Sequence, residues 1–425
     1  MSIQHFKLKN GMQAVTVPQK GATSMTFMVF VRVGSRYETK PINGASHFIE
    51  HLMFKGTKRR PNTLAISKEL DRYGAEFNAF TSKDLTAYYI KMDADHTPLA
   101  IDLLHDMLFH SKYDPKEIDR ERGVIVEEIN MYEDNPQTLM EDVLEATLFP
   151  DSTLGWNIAG PREVIRKIPR EELTAYRDRY YIPSRMAVVV AGKIVPGTRA
   201  LLEKTFGRVT QPAKEADAPF APFSAPSTLP KSVDFRAKKT EQIQLGLAFH
   251  GLSHQDKRIP AVQLLSTILG GTMSSRLFIE VRERRGLCYS IHAAHQPFED
   301  TGMFAVLAGL DRSRLGEAIK VIRQELMKTT KTVVSKDELQ RAKDHIRGKI
   351  MLAFEDSATQ ADWYGKQWIF QNKLQSPEER LRLIGRVTPA DIRAVARDLF
   401  RPEAMAAALV GPFEKKEDVE ALFKF

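Results

Sequence analysis

The chain has 425 residues, too many for one ordinary hydrophobic core, which implies at least two domains. Hydrophobic residues at 43% and charged residues at 27% are the balance of a folded globular protein and exclude a disordered one. The net charge of +8 is spread along the chain with no run of five like charges and no basic–aromatic repeat, so a nucleic-acid partner has little behind it. A lone cysteine, Cys288, excludes an intrachain disulfide framework and suits a reducing compartment. The first residues lack an apolar leader, and no apolar run is long enough to span a bilayer. The cytoplasm is the expected location, without membrane insertion.

In chain order, strand patterns near 4–9 and 12–17 come first, followed by a long alternating strand at 25–33. A short helix around 46–52 and an amphipathic helix near 63–73 precede two strands near 75–82 and 85–92. Helices near 96–110, 115–133 and 136–148 complete the block. Strand runs and helix runs in separate blocks predict an α+β sandwich, a mixed sheet with helices on one face. Residues 211–230 contain five prolines with alanine and serine, an extended connector that can form neither a helix nor a central strand. It divides the chain into an N-terminal domain at 1–210 and a C-terminal domain at 231–425. The halves echo each other at a shift near 219: Leu173 matches Ile392, Pro183 matches Pro402, Met186 matches Met405 and Gly192 matches Gly411.

The chemistry concentrates in residues 46–52, which contain His47, Glu50 and His51. On a helix the two histidines are four apart, on one face and one turn above the other. Two imidazole nitrogens so placed can reach one zinc ion. Glu50 then stands beside the metal, well placed to take a proton from a water on it. The order His-x-x-Glu-His is the inverse of the common zinc-protease motif. A catalytic zinc usually takes three protein ligands, so a third must come from another element. The stretch 119–136 supplies Glu121, Glu127 and Glu128 as candidates.

On these residues the chain resembles the M16 (pitrilysin or inverzincin) metallopeptidases, and by its size their shorter, M16B-like branch. That branch includes bacterial processing-protease-like enzymes and the mitochondrial processing peptidase subunits. The resemblance implies that Glu128, 77 positions after His51 in a Glu-Glu-Ile setting, is the third ligand of one zinc per chain. It implies that Glu121 hydrogen-bonds a ligand histidine and fixes its tautomer. In the second half, a shift of 216 sets Gln263, Ser266 and Thr267 against the motif residues, so no metal site is expected there. That half carries instead a match to the family's Arg/Tyr pair, Arg285 and Tyr289, suited to a peptide carbonyl and its oxyanion. Residues 74–82 resemble the family's substrate-binding edge strand, with Asn78, Ala79, Phe80 and Thr81 as contacts. The family architecture is two homologous αβ halves, one chain being half of a clam-shell chamber. Because this chain keeps both sites, a homodimer is the simplest assembly.

The function expected from these features is that of a zinc endopeptidase acting on unfolded peptides. The alternative is a non-catalytic scaffold or processing-complex subunit that keeps the fold. His105, His110, His250, His254, His292 and His295 have no third partner at a sensible spacing and read as structural, and Cys288 reads as a packing residue.

Overall fold

Alternating runs of β-branched and aromatic residues make two open mixed sheets in this computed structural model, which describes residues 2–210, 220–229 and 232–423. Half of the proline-rich connector, 211–219 and 230, lies outside the described residues. The chain divides into two compact units. One comprises Met1–Ile129, Asn157–Ala221 and Leu352–Gln375, and the other comprises Asn130–Trp156, Pro222–Met351 and Ser376–Phe425.

The sheet of the first unit contains β1 (Gln4–Lys7), β2 (Gln13–Pro18), β3 (Ser24–Val31), β4 (Glu76–Thr81), β5 (Thr86–Asp93) and β6 (Met186–Gly192). Their order is β1-β2-β6-β3-β5-β4, with β2 and β6 parallel and every other pair antiparallel. On β3, Met25, Phe27, Val29 and Val31 enter one core together with Val188 and Val190 of β6. That core also takes residues of α1 (Ala45–Met53), α2 (Thr63–Asp71), α3 (Thr97–His110) and α4 (Pro115–Asp134). The loop after α1 is tied to α3 through buried Asp106, which accepts from Thr57 Oγ1 at 2.6 Å and from Arg60 Nη1 at 2.9 Å.

The predicted α+β class with mixed sheets is what the structure has, and helices of the first half do gather on one face. The opposite face is also covered. Met28 and Phe30 of β3 and Val189 and Ala191 of β6 pack there against Ala361, Tyr364 and Phe370 of the helix Ser357–Gln371. A two-sided apolar sheet requires that second cover, because β3 and β6 alternate between apolar residues directed to each face.

Gly365 of this helix lies directly over Phe30, and a Cβ at that position would overlap the ring. Alanine normally gains about 1 kcal/mol over glycine inside a helix. Overpacking a well-filled core costs about 1–3 kcal/mol, occasionally more. Gly365→Ala is therefore expected to be net destabilising by up to roughly 2 kcal/mol in a urea melt. A midpoint at or above that of the unaltered protein would show that Phe30 repacks freely.

The second unit has β7 (Val233–Ala237), β8 (Gln242–Gly251), β9 (Cys288–Pro297), β10 (Gly302–Asp311) and β11 (Ala406–Gly411) in the order β7-β11-β8-β10-β9. The helix α5 (Pro136–Leu148) packs Met140, Val143 and Leu144 onto Ala248, Ala406, Ala408 and Val410. Thus each unit includes a helix from the opposite half of the chain. Among the described residues, no helix is long and apolar enough to cross a membrane.

Candidate metal centre

The helix α1 starts where Gly44 adopts φ 98°, a left-handed conformation that leaves no room for a side chain beside Ala159 and Ile165. Its first N–H groups would be orphans in the core. Buried Glu38 takes them: Oε2 accepts from Gly44 N at 2.7 Å and from Asn43 Nδ2 at 2.9 Å, and Oε1 accepts from Ser46 N at 2.7 Å. Burial pushes the Glu38 carboxyl up to about 7, against the pull of the hydrogen bonds it accepts. A carboxylate at a helix N-terminus is also favoured by the helix dipole. The consequence is a firmly held first turn directly before His47.

Along α1, His47 and His51 lie on one face with their rings edge-on and centroids 4.5 Å apart, and their Nε2 atoms face each other at 3.2 Å. The helix α4 brings Glu128 opposite. Its Oε2 is 3.5 Å from His47 Nε2 and 3.4 Å from His51 Nε2. Seven residues earlier on the same face of α4, Glu121 is buried and accepts the Nδ1 proton of His51 at 2.8 Å through Oε1. Its Oε2 lies 2.5 Å from Lys55 Nζ. Glu127 is exposed, while Glu128 is partly buried.

The electrostatics follow from this packing. Burial lowers His47 to about 4, which favours a neutral imidazole able to offer a lone pair. Burial acts on His51 as well, but the hydrogen bonds and charges of Glu121 and Glu128 outweigh it and raise it to about 9. For Glu121 the hydrogen bonds from His51 and Lys55 outweigh burial and lower it. Glu50 is raised, chiefly by burial, against a hydrogen bond from Thr81. That hydrogen bond, Thr81 Oγ1 to Glu50 Oε2, is 2.5 Å long.

Among the described residues, the group of three side chains able to converge on one metal ion is His47, His51 and Glu128, whose donor atoms lie within 4.8 Å of one another. Two imidazole nitrogens and a carboxylate form a donor set that zinc accepts. Among the described residues, buried His47 Nδ1 has no hydrogen-bond partner. These residues fit zinc.

Among its described residues, the second unit has no counterpart. Gln263 holds Arg380 Nη2 at 3.0 Å, and Thr267 Oγ1 bonds the Gln263 carbonyl. Residues 14–162 match the model of the insulinase family (peptidase family M16), and residues 167–346 match that of the peptidase M16 inactive domain. An uncharacterized zinc protease of Streptomyces coelicolor is 37% identical over 98% of this chain and 91% of its own length. The uncharacterized zinc protease YmxG of Bacillus subtilis is 34% identical over 96% of this chain and 98% of its own. The chain belongs to the M16 peptidase family.

Solved structures agree on the M16 fold. A protease from Helicobacter pylori superposes with TM-score 0.87 at 23% identity, covering 97% of this chain and 99% of that one. A peptidase M16 inactive domain from Pseudomonas fluorescens gives TM-score 0.88 at 19% identity, over 97% and 98%.

The remaining sequence candidates of this M16 chain have definite surroundings. Asn78, Ala79, Phe80 and Thr81 lie on β4, an edge strand of its sheet paired with β5. In the second unit, Arg285 Nη1 donates to the carbonyl of Glu280 at 2.7 Å and to its carboxylate at 2.6 Å. Tyr289 is 73% exposed, with the Arg282 guanidinium 5.2 Å from its ring centroid. Three of the histidines read as structural have definite partners: His250 Nε2 bonds the Leu148 carbonyl at 2.8 Å, His295 Nε2 accepts from Leu252 N at 2.9 Å, and His105 packs on Phe206. Burial pushes the Cys288 thiol up to about 11, far from a reactive thiolate.

Three contributors escaped the sequence reading. Lys55 lies two residues past the end of α1, four after His51, and that i, i+4 spacing could have pointed to it. Glu38, upstream of a glycine that opens a helix, carried a weak capping clue. The hydroxyl of Thr81 on Glu50 carried none, because 31 positions separate them.

Proposed function

We propose that this M16 chain is a zinc-dependent endopeptidase that hydrolyses unfolded peptides. The observation carrying the proposal is the convergence of His47, His51 and Glu128 with Glu50 held one residue before the second histidine. The names of its relatives point the same way. His47, His51 and Glu128 would hold one zinc ion per chain, and Glu121 would keep His51 in the tautomer that presents Nε2. Zinc bound there supplies Lewis acidity, making water a stronger acid and a peptide carbonyl a better electrophile. Glu50 takes the proton of the attacking water and returns it to the leaving amine. An extended substrate adds to the free edge of β4 along Asn78, Ala79, Phe80 and Thr81, where backbone pairing tolerates varied side chains. Arg285 and Tyr289 are assigned as donors to the peptide carbonyl and its oxyanion.

The proposed assembly is a homodimer whose two chains enclose the reaction, which would restrict it to chains without stable structure. The single cysteine favours a cytoplasmic setting. Zinc-replete protein should carry one zinc per chain, run at roughly twice 48.2 kDa, and digest a peptide library while sparing folded domains. Arg285→Ala and Tyr289→Phe should lower turnover without lowering zinc content. A fully active monomer, or ready digestion of a folded protein, would remove the enclosed chamber. Protein that purifies empty and cannot be reloaded would favour the scaffold reading.

A further inference from the structure

We infer that Thr81 is a positioning residue for Glu50, its hydroxyl fixing the carboxylate in the orientation needed to handle the water proton. This inference rests on reading Glu50 as the base. A threonine hydroxyl has one proton to donate, and here it goes to Glu50 Oε2 at 2.5 Å. Hydrogen bonds from a hydroxyl to a carboxylate are short and about twice as strong as neutral ones. With Oε2 engaged, Oε1 is the oxygen left to receive a proton. The β-branched side chain adds its own restraint, since its χ1 has few allowed settings.

The frame around this pair is unusually specific. Thr81 is the last residue of β4, opposite Thr86 of β5. The turn between them is closed by Ser82 N to Leu85 O at 2.8 Å. One loop grips that turn. Ser35 N donates to Ser82 O at 3.1 Å, Arg36 N donates to Lys83 O at 3.0 Å, and buried Arg36 pairs with Asp84 at 3.5 Å. This approach requires glycine at 34, because a Cβ there would overlap the carbonyls of Ser82 and Lys83. The same loop ends at Glu38, which caps the helix carrying Glu50. A single segment, 34–38, therefore ties together the strand that donates and the helix that accepts. Edge-strand residues that merely received substrate would not require this coupling to α1.

The test uses zinc-replete enzyme and an unstructured fluorogenic peptide, with kcat, KM and zinc content measured for Thr81→Val, Thr81→Ser, Glu50→Gln and the Glu50→Gln/Thr81→Val double variant. Valine keeps the branched shape and loses the hydroxyl; serine keeps the hydroxyl and loses the branch. Thr81→Val should lower kcat roughly ten- to a hundredfold, with KM and zinc content near those of the unaltered enzyme. Thr81→Ser should recover most of that loss. Adding Thr81→Val to Glu50→Gln should cost nothing further, because residues acting as one unit are not additive. An unchanged kcat in Thr81→Val overturns the inference, as does a loss confined to KM, which would leave Thr81 a substrate contact alone. Full activity in Glu50→Gln would instead remove the base assignment itself, a failure separable from that of Thr81.

Discussion

Glu50→Gln is expected to lower peptide turnover by roughly a hundred- to ten-thousandfold, the usual contribution of a positioned general base, with zinc retained at one per chain. The substitution is nearly isosteric, and the amide oxygen can still accept from Thr81, so the local packing should survive. What disappears is an oxygen able to take a proton. Glu50 lies outside the converging set of His47, His51 and Glu128, and its Oε2 is already engaged with Thr81. Zinc content should thus be indifferent to the change. Turnover is read with a peptide substrate, and zinc by elemental analysis of the same preparation. Loss of metal from this variant would make Glu50 a ligand and assign the proton to another group.

Glu128→Gln should weaken zinc binding by at least the roughly 10–100-fold seen when mere outer partners of metal ligands are removed, and Glu127→Gln should leave it unchanged. The two glutamates are adjacent on α4, about 100° apart around the helix axis. Only Glu128 is within 3.5 Å of both histidine Nε2 atoms, and Glu127 is exposed. Replacing the carboxylate by an amide removes the negative charge that the metal would meet there. Competition against a chelator of known affinity measures the difference directly. If Glu127→Gln proved to be the variant that loses zinc, the register of α4 would move by one residue, and the role given to Glu121 would move with it.

Much of the candidate site was readable because it depends on spacing inside single elements. Histidines at i and i+4 share a helix face wherever the helix lies, and so do Glu121 and Glu128 at seven residues apart. The alternation of β3 likewise declared a strand, and the observed elements from β1 to α5 fall within a residue or two of the expected ones. The pairing of α1 with α4 was not a property of either segment. It entered through resemblance to the M16 family, and the distances from Glu128 to both histidines describe it in atoms.

What the sequence by itself determined was which residues share a face: His47 with His51, Glu121 with Glu128, and Phe27 with Val29 and Val31. Periodicity is local and is set by backbone geometry, so no partner is needed to read it. Only the tertiary structure decided which faces meet. Amphipathic helices such as α5 and Ser357–Gln371 announce an apolar side that must be buried, but burial has no address, and any sheet with a matching surface would satisfy it. In the folded chain each of these helices covers the sheet built mainly from the other half. The same holds at the centre: a hydroxyl on β4 and a carboxylate on α1 became partners through the loop 34–38, whose backbone contacts lie far apart in the chain. Such contacts depend on non-directional hydrophobic packing that brings the elements together first, and the hydrogen bonds then select one arrangement within it.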